Sequence, residues 1–544
     1  MTLADRLAAV DAARRPMPLA ALVDRLVAEG RLRGARDRAG RPVAPAALGN
    51  GQVTAISADS RSIRPGSLFV AVPGDHVDGH DYLASAAGAG AVAAIVERPI
   101  ADVAIAQLVV DRSRAALASA AGWWYGDPSR ELGVVGITGT DGKTTTSFLA
   151  AAALDAGGHR SGLVGTVELR IGGEAEPTPE HQTTSEAPEL QRLLRAMADG
   201  GDQVAIVETT SHGLALERVA GIAYDVAVFT NLTHEHLELH GSFEAYRAAK
   251  LSLFERLASR GPAKTGAGVA LGWPRLAVIN RDDPSADLFA AVAREAGARV
   301  VTYGAEPGAD VRAERIEEDR HRLSVAYAAP SGASRISLQL AGRFNVHNAL
   351  AVVALGEGLG LDPAAVRAGL EGVTGVPGRM ERIERGQPFT VIVDYAHSPA
   401  SLETVLDLLA PVASAGGGGL VAVFGSAGER DRDKRSMMGR IAGDRCRLVI
   451  ATDEDPRGED RLAIIEAIGR GAEAAGKRQG RDLLLIPDRR AAIAAALDQA
   501  GPGDVVLFAG KGHERSIIGP TGPAPWHERS EVESALAALG FAGA

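Results

Sequence analysis

Short runs of apolar and β-branched residues alternate with Ala- and Leu-rich stretches along most of the chain, and this alternation constrains the fold most tightly. A strand buried on both faces reads as a continuous apolar run. The stretch after it must cross back over the sheet to reach the next parallel strand, and a helix does this most readily. Strands are expected at 134–137, 204–208, 226–230, 276–279, 390–393, 420–424, 448–452, 483–486 and 505–508. Helices are expected after Lys143 and over 346–358, 363–369 and 490–499. The fold class is α/β with parallel sheets, and no internal repeat is evident.

A chain of 544 residues exceeds what one core organises, so about two to four domains are expected, three being the central value. DPSRELG, around 128–133, separates an amphipathic helix from a new strand, and GVTGVPG, around 372–378, breaks the pattern with glycines and a proline. Domains are therefore expected near 1–130, 131–377 and 378–544. The AGGGG run at 415–419 directly precedes an expected strand and reads as a loop within the last domain.

The net charge of −10 argues against general nucleic-acid binding, which needs a basic face. It leaves room for an anionic ligand held by a few local cations. Cys446 is the sole cysteine, so no internal disulfide or cysteine metal cage can form, which fits a reducing cytoplasm. The N-terminal MTLADRLAAVDAARR lacks the apolar stretch of a signal peptide, and no segment reaches the roughly 20 apolar residues that span a bilayer. A cytoplasmic protein without membrane insertion is expected, acting as a monomer.

VVGITGTDGKTTT reads as a strand, a Gly-rich turn and a helix start. Such a turn directs backbone N–H groups at phosphate oxygens, and the helix N-terminus favours negative charge. Lys143 can reach terminal phosphates, and the Thr144 hydroxyl can ligate Mg²⁺. The generic Walker spacing asks for four residues before GK, but Gly136 leaves five and Gly139 leaves two. A surface turn with a chance GK is the plain alternative. Glu208 ends an expected strand, where phosphate-loop folds commonly place a magnesium carboxylate; alone it could be a solvated strand end. His234, His236 and His240 follow among acidic residues, which could mark a metal site or a solvated loop.

Together these segments resemble the Mur ligase family, ATP-dependent enzymes that add amino acids to a UDP-linked cell-wall precursor. The family loop GT(N/D)GKTT matches Gly139, Thr140, Asp141, Gly142, Lys143, Thr144 and Thr145, which removes the Walker misfit. The resemblance implies ATP and two Mg²⁺ sites. Thr144 and Glu208 would serve one, and His236 the other, supported by Lys250 carbamylated with CO₂. Glu235 stands where the family often has Asp. GRFNVHNALA carries over Asn345 and Asn348 as nucleotide contacts, GVPGRMERI brings Arg379, and VDYAHSPASLE brings Asp394 and His397. The implied catalytic set is Lys143, Glu208, His236, Lys250 and Arg379.

DSRSIRPGSLFVAVPGDHVDGHDY resembles the family's uridine-binding segment, so Ser60 is an expected UDP contact. The implied architecture is an N-terminal α/β uridine-binding domain, a central phosphate-loop ATPase-like parallel sheet and a C-terminal Rossmann-like domain. ADSR, VPGRME, VFGSAGERDRDKR, EDPR and AGKGHE resemble the branch that attaches the third peptide residue, a diamino acid, to UDP-MurNAc-L-Ala-D-Glu. Thr183, Thr184, Thr210 and Arg218 match its precursor contacts. Arg430, Asp455, Arg457, Gly510 and Glu514 match its amino-acid pocket.

The implied reaction joins the precursor's D-Glu side carboxylate to the γ-phosphorus of ATP and then passes the acyl group to an incoming amine. Asp455 replaces the usual asparagine and adds negative charge where a diaminopimelate carboxylate would lie, which favours lysine or ornithine. Arg457 suits that carboxylate and Glu514 the neighbouring ammonium, unless Arg457 is spent on a loop ion pair with Glu454, Glu459 or Asp460. The balance favours meso-diaminopimelate. The competing readings are a related ligase acting on another carboxylate and a non-catalytic nucleotide-binding homologue.

Overall fold

The computed structural model describes residues 1–48, 51–74, 77–178, 182–233, 237–258, 264–265, 271–318 and 322–541. They form two compact units. One comprises Met1–Ile316, Val325–Ile336 and Val346–Gly372; the other comprises Glu317–Ser324, Ser337–Asn345 and the chain from Val373 onward. The architecture is α/β throughout, as the alternation implies.

In the first unit the strand Gly133–Thr138 is buried at every position. It lies between Val204–Glu208 and Val226–Phe229, both parallel to it. Ser161–Val164 extends the sheet on one side, and Leu276–Asn280 followed by Arg299–Gly304 on the other, again in parallel. From Gly133–Thr138 the chain passes out to Ser161–Val164, returns through Val204–Glu208, and crosses to Val226–Phe229 on the other side before running outward. The crevice beyond the carboxyl end of such a strand is where open α/β sheets bind ligands. Antiparallel strands Glu168–Ile171 and Glu174–Pro177 close one edge. At the other edge Val311 and Arg312 run parallel to Tyr303 and Gly304.

A separate six-stranded sheet precedes this one. Ala55–Ser57, Ser67–Val70, Ala93–Val96 and Ala106–Val110 form its parallel part, and Leu32–Arg36 adds an antiparallel neighbour. The helix Ser113–Tyr125, expected to be amphipathic, is instead buried at every position except Arg114. It packs against Leu19–Ala28 and Ala187–Asp199 as well as against the sheet, so no face remains for solvent. Small side chains make this possible, because alanines let neighbours approach from several sides.

The second unit carries its own six-stranded sheet. Thr390–Asp394, Val505–Ala509, Leu420–Phe424, Leu448–Ala451 and Leu483–Leu485 run parallel in that order, with Glu381–Ile383 antiparallel at the edge. The AGGGG run links helix Pro399–Ala415 to strand Leu420–Phe424 as a short loop. Cys446 is buried, and burial pushes its thiol up to about 12. Because the thiolate is the reactive form, a thiol reagent is expected to label the protein only on unfolding. Stoichiometric labelling of the native protein at a free-thiol rate would contradict that burial. Among the described residues no helix is long and apolar enough to cross a membrane.

Candidate active site

The loop after Gly133–Thr138 has the geometry of an anion cradle. Gly139 and Gly142 adopt φ of +150° and +82°, and each is closely faced by a side chain. A Cβ on Gly139 would lie 1.8 Å from Thr230 Oγ1, and one on Gly142 would lie 2.4 Å from Asn348 Oδ1. Both positions need glycine for backbone and for space. Helix Lys143–Ala156 then begins with no side-chain cap bond, and a helix N-terminus of this kind favours a bound anion. Lys143 Nζ folds back onto the carbonyls of Gly139, at 3.1 Å, and Thr140, at 2.7 Å. Thr145 is buried beside it.

The segment after Val226–Phe229 holds this loop in place. Asn231 O accepts from Thr140 N at 2.8 Å, and Asn231 Oδ1 accepts from Asp141 N at 2.9 Å. Thr230 Oγ1 donates to Asp141 O at 2.6 Å. Thr140 Oγ1 lies 2.9 Å from Tyr246 OH, and Thr146 Oγ1 donates to Asn348 Oδ1 at 3.2 Å. Lys250, on helix Phe243–Glu255, is buried; its Nζ donates to Gly139 O at 2.6 Å and stands 4.6 Å from the Tyr246 ring centroid. His234, Glu235 and His236 lie outside the described residues. His240 packs edge-on to His212, ring centroids 5.8 Å apart.

Glu208 is the hub. It is fully buried at the end of its strand, and among the described residues no basic side chain pairs with it. Thr144 Oγ1 donates to Glu208 Oε2 at 2.9 Å, and Thr166 donates to both carboxylate oxygens, from Oγ1 at 2.9 Å and from N at 3.1 Å. A buried carboxylate without a counter-ion is costly, so this one is suited to receive a cation. Among the described residues no three His, Cys, Asp or Glu side chains gather as a metal cage. One carboxylate and neighbouring hydroxyls fit Mg²⁺, a hard ion that takes few protein oxygens and completes its shell with phosphates and water. Thr166 was not among the expected site residues. It lies at the start of a loop with no phosphate-loop or metal signature, so no local signal marked it.

Thr183, Thr184, Thr210 and Arg218, expected at the precursor, gather around the same strand end. Thr184 Oγ1 donates to Glu208 O at 2.8 Å and lies 3.0 Å from Thr210 Oγ1. Arg218 reaches Thr184 O at 3.0 Å and Glu186 at 2.8 Å. Thr183 Oγ1 lies 2.9 Å from Thr166 Oγ1. Ser60 begins a short 3-10 turn, Ser60–Ser62, capped by the Asp59 side chain.

In the second unit, Asp394 ends strand Thr390–Asp394 and His397 follows it, Arg379 precedes the edge strand Glu381–Ile383, and Asn345 lies in helix Phe344–Leu359. Asp394 accepts from Met380 N at 2.7 Å and Ala396 N at 2.8 Å, and burial pushes its carboxyl up. Arg379 stacks on Tyr395, 4.7 Å to the ring centroid, and His397 Nδ1 lies 2.9 Å from Tyr395 O. Asn345 donates to Ala341 O at 2.6 Å.

The amino-acid residues differ from expectation in one respect. Asp455 does not stand as an added free charge, because Oδ1 accepts from Lys511 Nζ at 2.9 Å and Ile518 N at 2.8 Å. Lys511, fully buried, also pairs with Glu514. Burial pulls the ammonium down, but the two carboxylates beside it outweigh that and hold it above its ordinary value. Motif matching alone could not assign Lys511 this task, since it depends on where loops after two different strands meet. Arg457, at φ +54°, makes no ion pair among the described residues. Glu459 is taken by Arg435 at 2.8 Å, and Asp460 caps a helix. One oxygen of Glu454, Oε2, is buried without a hydrogen-bond partner. Gly510, at φ +99°, leaves room for Glu454, 2.9 Å from where a Cβ would stand. Arg430 is exposed.

Three family models match this chain: the Mur ligase family catalytic domain over 52–123, the Mur ligase middle domain over 137–356, and the Mur ligase glutamate ligase domain over 378–512. The UDP-N-acetylmuramyl-tripeptide synthetase of Roseiflexus sp. (strain RS-1) is 49% identical over 500 residues, covering 91% of this chain and 96% of that protein. The UDP-N-acetylmuramoyl-L-alanyl-D-glutamate–2,6-diaminopimelate ligase of Geobacter metallireducens is 41% identical over 504 residues, covering 90% and 96%. A solved structure of a ligase with that same 2,6-diaminopimelate name is 31% identical with a TM-score of 0.61, covering 90% of this chain and 96% of its own. The phosphate loop at the sheet's switch point, the buried carboxylate beside it and these likenesses agree: the chain belongs to the Mur ligase family of ATP-dependent, amide-bond-forming enzymes.

Proposed function

We propose that this enzyme attaches the third peptide residue to UDP-MurNAc-L-Ala-D-Glu in peptidoglycan synthesis. The residue is a diamino acid, with meso-diaminopimelate favoured over lysine or ornithine. The observation that carries this reading is the position of Glu208. Its carboxylate meets the phosphate loop through Thr144, its backbone carbonyl accepts from Thr184, and its carboxylate is linked to Thr183 by way of the Thr166 hydroxyl. A reaction between the γ-phosphate of ATP and a precursor carboxylate needs those two binding segments side by side.

Both reactants are anionic, so their approach must be neutralised. The helix N-terminus and Lys143 hold the phosphates, and the loop glycines let them come close to the backbone. Thr144 and Glu208 would hold Mg²⁺ at one site, with the other assigned residues at the second, and the ion would supply further positive charge to the approach of the two anions. The precursor carboxylate attacks the γ-phosphorus, ADP leaves, and the amine of the incoming amino acid then attacks the acyl carbon, releasing phosphate. Thr183, Thr184, Thr210 and Arg218 hold the precursor, with Ser60 on its uridine. His236 and a carbamylated Lys250 are assigned to the second metal site. Arg379, Asp394, His397, Asn345 and Asn348 are assigned to the nucleotide.

Arg430, Asp455, Arg457, Gly510 and Glu514 are assigned to the amino acid. Arg457 supports diaminopimelate because it keeps a free guanidinium for a carboxylate, and Lys511 answers the charge of Asp455. The domains are assigned to 1–130, 131–377 and 378–544, and the enzyme to the cytoplasm as a monomer. Phosphate release from ATP with UDP-MurNAc-L-Ala-D-Glu is expected with diaminopimelate and to be weaker with lysine or ornithine. No release with any of the three would end the third-residue assignment. Release with lysine or ornithine in preference would end the diaminopimelate one.

A further inference from the structure

We propose that Thr166 is a positioning residue that couples magnesium–nucleotide binding to precursor binding. This rests on the assignment of Glu208 to the metal and of Thr183 to the precursor. The Thr166 hydroxyl is 2.9 Å from Glu208 Oε2 and 2.9 Å from Thr183 Oγ1, oriented to donate to either. A hydroxyl carries one proton, so it can satisfy only one acceptor at a time. Its backbone N–H is fixed on the other carboxylate oxygen at 3.1 Å, which keeps the side chain at this junction. Gly165 makes the approach possible, since a Cβ there would stand 2.4 Å from Glu208 Oε1.

The consequence follows from competition for that proton. While Glu208 has no cation, its charged oxygen is the stronger acceptor and draws the Thr166 proton. A cation on Glu208 satisfies the oxygen and frees the proton for Thr183. Thr183 is then fixed with its own hydroxyl proton turned outward, ready to donate to the precursor. The metal and the precursor therefore favour the same arrangement, and a coupling of this kind must be reciprocal.

The test measures binding rather than turnover. Calorimetric Kd values for UDP-MurNAc-L-Ala-D-Glu are taken with ADP alone and with ADP plus Mg²⁺, in wild type, Thr166→Val and Thr166→Ser. Wild type is expected to bind precursor about tenfold tighter when Mg²⁺ is present, within the usual range of site-to-site coupling. Thr166→Val, which keeps the shape and loses the hydroxyl, is expected to bring that ratio to about one. Thr166→Ser keeps the hydroxyl and is expected to retain most of the ratio. A full ratio in Thr166→Val, equal loss in Thr166→Ser, or a ratio of one in wild type overturns the proposal. Failure of wild type to bind the precursor under any condition would instead overturn the assignment of the precursor, and this proposal with it.

Discussion

Glu208→Gln is expected to lower kcat about a thousandfold, roughly 4 kcal/mol of transition-state stabilisation, while the protein remains folded. The substitution keeps the size of the side chain and an oxygen that can accept from Thr144 or Thr166. What it removes is the negative charge that a divalent ion requires. Because the native carboxylate is fully buried and, among the described residues, unpaired, losing the charge relieves a desolvation cost. The melting temperature without ligand is therefore expected to stay the same or rise, and stabilisation by Mg²⁺ plus ADP is expected to disappear. Steady-state kinetics and thermal melting, with and without Mg²⁺-ADP, separate the two effects. A variant retaining a tenth of wild-type activity would remove Glu208 from the metal site.

Lys250→Ala is expected to abolish turnover to a similar degree, and a small carboxylic acid added at millimolar concentration is expected to restore part of it. An ammonium beside a cation site repels the ion. A carbamate, formed when the neutral amine attacks CO₂ and gives up a proton, presents oxygens that a hard ion prefers. The Lys250 side chain is enclosed, with Nζ against Gly139 O and over the Tyr246 ring, so truncation leaves a space next to the phosphate loop. A carboxylic acid entering that space would replace the missing oxygens. Full activity of Lys250→Ala excludes the carbamate. Lost activity that no carboxylic acid restores would assign Lys250 to holding the loop through Gly139 instead.

The strands were legible because each is a buried apolar run bounded by turn residues. Val204–Glu208 and Leu420–Phe424 have the expected ends, and the others differ at their ends by one residue or two. Helix Ser113–Tyr125 was misjudged because its alanines carry little sign of which side faces water, and its three close neighbours decided the matter. The N-terminal sheet was expected as a domain but not strand by strand, since several of its strands are only two to five residues long. Short strands carry too few residues to show a period.

The phosphate loop shows where the sequence sufficed. GTDGKTTT marks the loop by itself, because its glycines supply the positive φ that the turn needs, while Thr230, Asn231 and Asn348 from elsewhere in the chain crowd and hold it. Family motifs located Glu208 and Lys250, and tertiary structure then brought both to the loop from later elements of the chain. The charge state of the amino-acid pocket belonged to tertiary structure alone. Asp455 is an added negative charge when read along the chain, and half of a buried ion pair once Lys511 reaches it from another strand's loop. The role of Thr166 emerged in the same way, from hydroxyls and a carboxylate spread over 64 residues converging on one strand end. Local backbone preference is a short-range property that sequence records directly. Electrostatic compensation depends on which side chains meet, and only the folded chain decides that.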